Sequence, residues 1–370
     1  MMELGIKHIA ENFNIDGKLI QHESFGSGHI NDTYCLTCEK DSRQTHYILQ
    51  RINHEVFKNP PAMMENIRRV TNHIRRKLQE QQNILASRQL VVISTKDGAD
   101  FFRDDQGNYW RVYNRIENAF TYDILESPEQ AYEAARMFGR FAALLTDLPG
   151  PPLHETIPDF HTTPKRFKTF MEVLQQDPHN RAKDVRPEID FVLENADICD
   201  VLLNHVSKGE IPVRITHNDT KINNVLLDEK THEGVCVIDL DTVMPGLSLY
   251  DFGDMVRTAT NPAEEDEQDL SKVTMRMPIF EMLLKGFAEE TRKFLTPTEK
   301  RNLAFAGKLI TFEQMIRFLA DHLAGDVYYK IHREGHNLDR CRTQMKMVQS
   351  IIEQEEAMNT LADSIFQELT

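Results

Sequence analysis

No stretch of the sequence approaches the roughly eighteen uninterrupted apolar residues that mark a membrane-spanning helix. The opening residues, Met1-Met2-Glu3-Leu4-Gly5-Ile6-Lys7, place no basic segment ahead of an apolar run. A cytoplasmic chain with no membrane partner is the expectation. Basic residues are in deficit as well: 43 Lys+Arg against 58 Asp+Glu leave a net charge of −15. Such a field repels phosphate backbones unless a local patch overrides it, so nucleic acid is not an expected partner. Cysteine is scarce, five residues at positions 35, 38, 199, 236 and 341, too few and too scattered for a disulfide framework. Cys35 and Cys38 spell C-x-x-C, but the sequence has no second pair to complete a zinc site. The strand-like run Thr33-Tyr34-Cys35-Leu36-Thr37-Cys38 reads instead as buried or half-buried thiols.

What is present is ordinary globular composition, 40% hydrophobic and 27% charged, which excludes wholesale disorder and collagen-like repeats. A chain of 370 residues exceeds one comfortable core, so two lobes with a ligand-binding cleft are expected. Residues 1–118 read as a small antiparallel sheet with one helix. Runs at 19–25, 33–39, 46–52, 90–95 and 109–115 are β-branched, aromatic or alternating, with turn residues such as Asp97-Gly98 between them. Pro60-Pro61 opens a helix whose Met63, Met64, Ile67, Val70, Ile74 and Leu78 recur at helical spacing. Residues 119–370 read as a larger, mainly helical lobe, interrupted by strands only between 211 and 240. Helices are expected from Pro128 onward and over 187–206 and 276–295. The acidic run Glu264-Glu265-Asp266-Glu267 reads as a solvated helix start or loop. The fold class is therefore α+β.

The most informative stretch is Ile215-Thr216-His217-Asn218-Asp219-Thr220-Lys221-Ile222-Asn223-Asn224, which runs into a strand and is followed by Val235-Cys236-Val237-Ile238-Asp239-Leu240-Asp241. The turn at 229–234 folds the second strand back on the first, which brings Asn224 and Asp239 to one end of a hairpin. Phosphoryl transfer from a nucleotide needs a carboxylate to orient or deprotonate the attacking hydroxyl, and oxygen ligands for magnesium. His-x-Asp-x-x-x-x-Asn has the spacing of a protein-kinase catalytic loop: Asp219 is the base, Asn224 a metal ligand, and Asp239 the second metal ligand. Lys221, two residues past the base, is placed to contact the transferring phosphate. Asp251-Phe252-Gly253 spells the D-F-G that binds metal in protein kinases, but it follows a loop, not a strand hairpin. Asp251 is read as structural, bonding backbone amides of the catalytic loop.

The N-terminal lobe is expected to hold the nucleotide. Phe25-Gly26-Ser27-Gly28-His29-Ile30-Asn31 lies between two strands, where Gly26, Ser27 and Gly28 let N–H groups approach phosphates and Asn31 stands where a third glycine would complete G-x-G-x-x-G. The third strand carries no lysine, so Arg51 is the candidate phosphate cation, with Gln50 the alternative, and Glu65 on the helix is its candidate partner.

Taken together, His217-Asn218-Asp219-Thr220-Lys221 with Asn224, Ile238-Asp239-Leu240-Asp241 and Tyr250-Asp251-Phe252-Gly253-Asp254 resemble the aminoglycoside phosphotransferase and choline kinase family. Its members are kinases of small molecules on a bilobal, protein-kinase-like fold. Gly26-Ser27-Gly28-His29-Ile30-Asn31-Asp32-Thr33 and Ile48-Leu49-Gln50-Arg51-Ile52-Asn53 narrow the resemblance to the N-acetylhexosamine 1-kinases, which phosphorylate the anomeric hydroxyl of N-acetylglucosamine or N-acetylgalactosamine. The resemblance implies ATP and Mg2+, with adenine against the segment from Asn114 to Ile116. It also implies sugar contacts from Arg317 and Tyr328 within residues 312–330. Read without the family, that segment is an amphipathic helix with Phe312, Met315, Ile316, Leu319 and Leu323 as its apolar stripe, and Arg317 and Asp321 form an i, i+4 surface ion pair. A kinase of another small alcohol, such as an amino alcohol or aminoglycoside, is the alternative activity.

Overall fold

The computed structural model describes residues 2–26, 30–122, 124–125 and 127–369, with side chains from residue 5 onward. They form two compact units, neither continuous in sequence. One comprises Met1–Phe120, Leu144–Pro158 and Leu226–Pro245, the other Thr121–Ala143, Asp159–Val225 and Gly246–Thr370. The boundary expected at 118 lies beside the end of the first segment, but two later segments return to that unit.

In the first unit, strands Lys18–Ser24, Asp32–Lys40, Arg43–Ile52, Tyr109–Asn114 and Val92–Ile93 are neighbours in that order, and Phe102–Arg103 also pairs with Tyr109–Asn114. Neighbouring strands in this sheet pair antiparallel. Because side chains alternate along a strand, Leu36, Cys38, Tyr47, Leu49, Trp110 and Val112 share one core with Ile6, Ile9 and Ala10 of helix Met2–Ala10 and with Phe13. That helix is absent from the sequence expectations, since nine residues give too short a window for periodicity to stand out. Helix Pro60–Glu80 starts where Asn59 accepts a hydrogen bond from the Ala62 N–H, with proline in the first turn, and buries Met63, Met64, Ile67, Val70, Ile74 and Leu78.

Asn66 on the same helix recruits the later segments. Its amide donates to the carbonyls of His154 at 2.8 Å and Val243 at 3.1 Å, and accepts from the His154 N–H at 2.9 Å. The expected hairpin forms from Val225–Asp228 and Gly234–Val237, and Ala119–Phe120 adds a third strand.

In the second unit, helix Leu303–Ala324 is buried on nearly every side, with Leu309, Phe312, Ile316, Leu319 and Leu323 inside. It packs against Thr163–Gln176, Ser248–Ala259 and His336–Glu368. The region 187–206 is two helices, Arg186–Glu194 and Val201–Ser207, not one. The acidic run is more than a solvated loop: Glu265 pairs with Arg257 at 3.1 Å, and Asp266 with Arg333 at 3.1 Å and His336 at 3.0 Å. All five cysteines are buried and unpaired. Among the described residues no helix is long and apolar enough to cross a membrane.

Two glycines let the crossing helices approach closely. A Cβ on Gly253 would stand 2.4 Å from the Ala306 carbonyl oxygen, and one on Gly307 2.6 Å from Val256. Gly253→Ala should therefore cost about 1–3 kcal/mol, the usual scale of overpacking, in chemical denaturation. Gly5→Ala, whose Cβ would meet nothing within 4 Å, is the control and should be neutral or slightly stabilising. Equal stabilities for the two variants would contradict the packing account.

Candidate active site

Strand Arg214–Thr216 leads into an irregular stretch that ends in the short helical turn Ile222–Asn224. Neither helix nor ladder takes the N–H groups of this loop, so side chains do. His217 and Asn218 donate their main-chain N–H groups to the two carboxylate oxygens of Asp251, at 3.0 and 2.7 Å. Thr220 donates its N–H to Asp254 at 2.9 Å and its hydroxyl to the Asp251 carbonyl at 2.6 Å. The D-F-G look-alike thus buttresses the loop, as its sequence position indicated. Asn218 takes a left-handed conformation with φ of 66°, which asparagine tolerates better than most residues. The His217 ring is buried edge-on against Phe138 and Phe141, with centroids 5.3 and 5.8 Å away.

A buried pair supports the loop from its acceptor side. His161 has Nε2 3.1 Å from the Asn218 carbonyl oxygen and Nδ1 2.8 Å from a Glu313 carboxylate oxygen. Both ring nitrogens face acceptors, so both carry protons. Burial opposes that charge, but Glu313 outweighs it and the imidazole is held above its ordinary value. The other Glu313 oxygen accepts the Thr163 hydroxyl at 2.6 Å.

At the front of the loop, the Asp219 side chain is 27% exposed and lies 3.3 Å from Lys221 Nζ. Burial alone would raise its carboxyl, yet Lys221 and His217 hold it below the ordinary value, so it is ionised at neutral pH. The Asn224 amide nitrogen donates to the Asp219 carbonyl at 2.8 Å and to its carboxylate at 3.3 Å. With the nitrogen so committed, Oδ1 is the atom Asn224 has for a cation. In the first unit, Asp239 is exposed and left-handed with φ of 57°, opening the turn Leu240–Thr242. Oxygens of this kind suit magnesium, which takes few protein ligands and keeps much of its water. No cluster of three or more His, Cys, Asp or Glu that could hold a metal occurs among the described residues.

Asp241 is buried in an ion pair with Arg111, whose Nη2 lies 3.0 Å from Oδ2 and whose Nη1 meets Oδ1. Arg111 Nε donates to Gln50 at 2.9 Å, Gln50 donates to Thr33 Oγ1 at 3.0 Å, and Asn31 donates to Asp241 at 2.7 Å while accepting the Asn53 N–H at 2.9 Å. Arg111 escaped the sequence reading. Its signal is a charged residue inside the alternating strand Tyr109–Asn114, whose Trp110 and Val112 belong to the opposite face.

Arg51 is placed elsewhere. It pairs with Asp32 across the strands and is 45% exposed, because neighbours on a strand point to opposite faces and Gln50 takes the inner one. Glu65 instead meets His154 at 3.0 Å, so the expected Arg51–Glu65 pair is not formed. Gly26 has φ of 80° with open space beside it; Ser27 and Gly28 lie outside the described residues. Asn114 bonds the Val91 N–H at 2.6 Å and the Gln89 carbonyl at 3.1 Å, and Ile116 packs with Val235 and Cys236.

The second unit also contains a cavity of about 220 Å³ lined by Arg166, Thr169, Val173, Arg317, Tyr328 and Tyr329 among others. Arg317 and Asp321 are not a surface ion pair. Asp321 is buried and accepts the N–H groups of Val327, Tyr328 and Tyr329 at 3.0, 2.8 and 2.9 Å, which curls the chain beyond the helix end at Gly325. Arg317 lies over the rings of Phe160, Tyr328 and Tyr329, 5.6, 6.0 and 5.6 Å from their centroids. Arg166 has no sequence signal that separates it from Lys165 or Lys168 on the same helix.

A model of the phosphotransferase enzyme family matches residues 21–272. Among solved structures, an aminoglycoside phosphotransferase from Alicyclobacillus acidocaldarius is similar with a TM-score of 0.59 at 14% identity, over 98% of this chain and 95% of that one. A choline kinase from Cryptosporidium parvum gives 0.57 at 13%, over 99% of each chain. A spectinomycin phosphotransferase solved with ADP and spectinomycin gives 0.53 at 12%, over 98% of each. At these identities the structures establish the protein-kinase-like fold.

Burial pushes the Asp251 carboxyl up to about 6, against the pull of His217 and of the two N–H groups it accepts. A folded-state value above the unfolded one, about 3.9, contributes stability that is full below about pH 4 and lost as pH rises through about 6. Asp251→Asn removes that titration and one of the two acceptors. The parent's advantage in denaturation free energy should therefore shrink as pH rises from about 4 to 6, leaving about 1–3 kcal/mol at neutral pH from the lost acceptor. A pH-independent difference would contradict the account.

Proposed function

The chain belongs to the phosphotransferase enzyme family and is an ATP-dependent small-molecule kinase, and from that membership we propose that its acceptor is an N-acetylhexosamine phosphorylated at the anomeric hydroxyl. Asp219, ionised and partly exposed, receives the proton of the attacking hydroxyl. The anomeric oxygen bonds to the γ-phosphorus as the bond to the β-phosphate oxygen breaks, and ADP leaves. Lys221 places a positive charge beside the carboxylate for the transferring phosphoryl group. Magnesium supplies charge neutralisation at the phosphates when bound, with Asn224 Oδ1 and the Asp239 carboxylate as the proposed donors. Gly26 and its neighbours Ser27 and Gly28 are proposed for the phosphates, and Asn114 to Ile116 for adenine.

The observation that carries the acceptor reading is the cavity lined by Arg317 and Tyr328. Tyrosine faces suit the C–H face of a pyranose, and guanidinium N–H groups suit its many oxygens. A cationic amino alcohol or aminoglycoside would meet two arginines there against one carboxylate, Asp321, whose oxygens already accept three main-chain N–H groups, and that excess of like charge disfavours the alternative.

Asp219→Asn should leave the KM for ATP nearly unchanged and lower turnover by about 10²- to 10⁴-fold, the contribution of a positioned base; near-parental turnover would remove Asp219 from its role.

Arg317→Ala and Tyr328→Phe should each lower kcat/KM for the sugar by roughly ten- to a hundredfold, the scale of a lost hydrogen bond to the substrate, with the ATP KM unaffected. Phosphorus–proton coupling in the product's NMR spectrum should identify the 1-phosphate. A 6-phosphate would overturn the anomeric reading and leave the kinase intact.

A further inference from the structure

The fold uses only part of the hydrogen-bonding capacity of the two arginines in the acceptor cavity. Arg166 donates from Nη2 to the Phe160 carbonyl at 3.0 Å, while its Nε is buried with no hydrogen-bond partner. Arg317 donates from Nη1 to the Gln314 side chain at 3.2 Å, is hydrogen-bonded to the Tyr328 side chain, and lies over the rings of Phe160 and Tyr329. Burial and the charge of Arg317 both hold the Arg166 guanidinium below its ordinary value. Glu313 attracts both guanidiniums through space, but the hydrogen bonds of the nearby carboxylates go to other groups. Glu313 is taken up by His161 and Thr163, and Asp321 by three main-chain N–H groups and the Asn337 amide at 2.8 Å. Two guanidinium groups therefore face one cavity against a single lining carboxylate, Asp321, in a chain whose net charge is −15. Desolvating them together is a cost to the folded state that an anionic ligand would offset.

We propose that this cavity binds an oxyanion, a carboxylate or phosphate group carried by the acceptor, between Arg166 and Arg317. The proposal rests on the reading that the acceptor occupies this cavity, and it narrows the acceptor to a sugar bearing an oxyanion away from its anomeric hydroxyl. Planar guanidinium forks match both groups geometrically, and an oxyanion adds the charge complementarity that a neutral ring lacks. Val173 and the ring faces of Tyr328 and Tyr329 provide the apolar wall for the sugar's carbon skeleton. Two consecutive residues connect the cavity's lining with the 217–224 loop: Phe160 contacts both arginines, and His161 holds the Asn218 carbonyl.

The test is calorimetric binding to the full chain of N-acetylglucosamine, its 6-phosphate, the corresponding uronic acid and inorganic phosphate, with product formation followed for each sugar. At low salt one of the anionic sugars should bind at least tenfold more tightly than the neutral one, and which of the two does so separates phosphate from carboxylate. The preference should weaken as ionic strength rises and should disappear in Arg166→Gln. Arg166→Lys, which keeps the charge but loses the fork, should retain part of it and serves if the glutamine variant does not fold. Equal or tighter binding of the neutral sugar, or an anion preference indifferent to both Arg166 variants, would overturn the proposal. Phosphorylation of the neutral sugar without any anion preference would overturn it while leaving the kinase reading standing. Arg166-dependent binding of an anionic sugar that is never phosphorylated would support the oxyanion site and remove the acceptor from this cavity.

Discussion

The stretch 217–224 holds the partly exposed Asp219 carboxylate on irregular backbone, and irregular backbone carries N–H and C=O groups that no secondary structure satisfies. That requirement organises the second unit. Asp251 and Asp254, both on helix Ser248–Ala259, take three of the N–H groups. Helix Leu303–Ala324 contributes Glu313, which charges and orients His161 against the Asn218 carbonyl. The two helices meet at Gly253 and Gly307, where backbone lies close to backbone or to Val256. Helix packing and loop geometry are consequently one problem: a displacement at that crossing moves the carboxylates and the imidazole that hold Asp219 in place.

Neighbouring carboxylates in this unit have opposite electrostatic fates. Asp219 is held below its ordinary value because Lys221 and His217 outweigh the desolvation it suffers. Asp251 is pushed up because it is fully enclosed and its two N–H donors do not make up for lost water. Asp219 is thereby ionised well below neutral pH, whereas Asp251 ionises only as pH rises through about 6. In the first unit, Arg111 and Asp241 form a pair that is almost wholly buried, and Asp241 outweighs the cost of burial to keep Arg111 charged. Such a pair adds little net stability but is expensive to break on one side, and here it ties Gln50, Asn31 and the Asp239 turn to one geometry.

Much of this was legible in residue order. Turn residues, proline starts and period-2 or 3.6 apolar spacing located the sheet strands, helix Pro60–Glu80 and the hairpin after Asn224, because those signals are local. The His217–Asn224 spacing and the role of Asp251 were legible for a similar reason: catalytic loops impose short, fixed intervals. The short helix Met2–Ala10 was not, since nine residues cannot show a period clearly, and the helix break within 186–207 left no strong breaker in the sequence.

By itself the sequence determined the α+β class and the family, and it singled out His217, Asp219, Lys221, Asn224 and Asp239 as the candidates for the chemistry, since each follows from identity and interval along the chain. Only the tertiary structure decided which cation is buried. Arg51 and Arg111 both sit on strands of the same sheet, and the choice between them depends on which face each strand residue takes and on Asp241, 130 positions away from Arg111. Only the tertiary structure, likewise, brought Arg166 beside Arg317 and turned Asp321 away from the expected ion pair onto the main chain that follows the helix end at Gly325. Those outcomes depend on which distant groups compete for the same charge and the same hydrogen bonds, and a one-dimensional pattern carries no record of that competition.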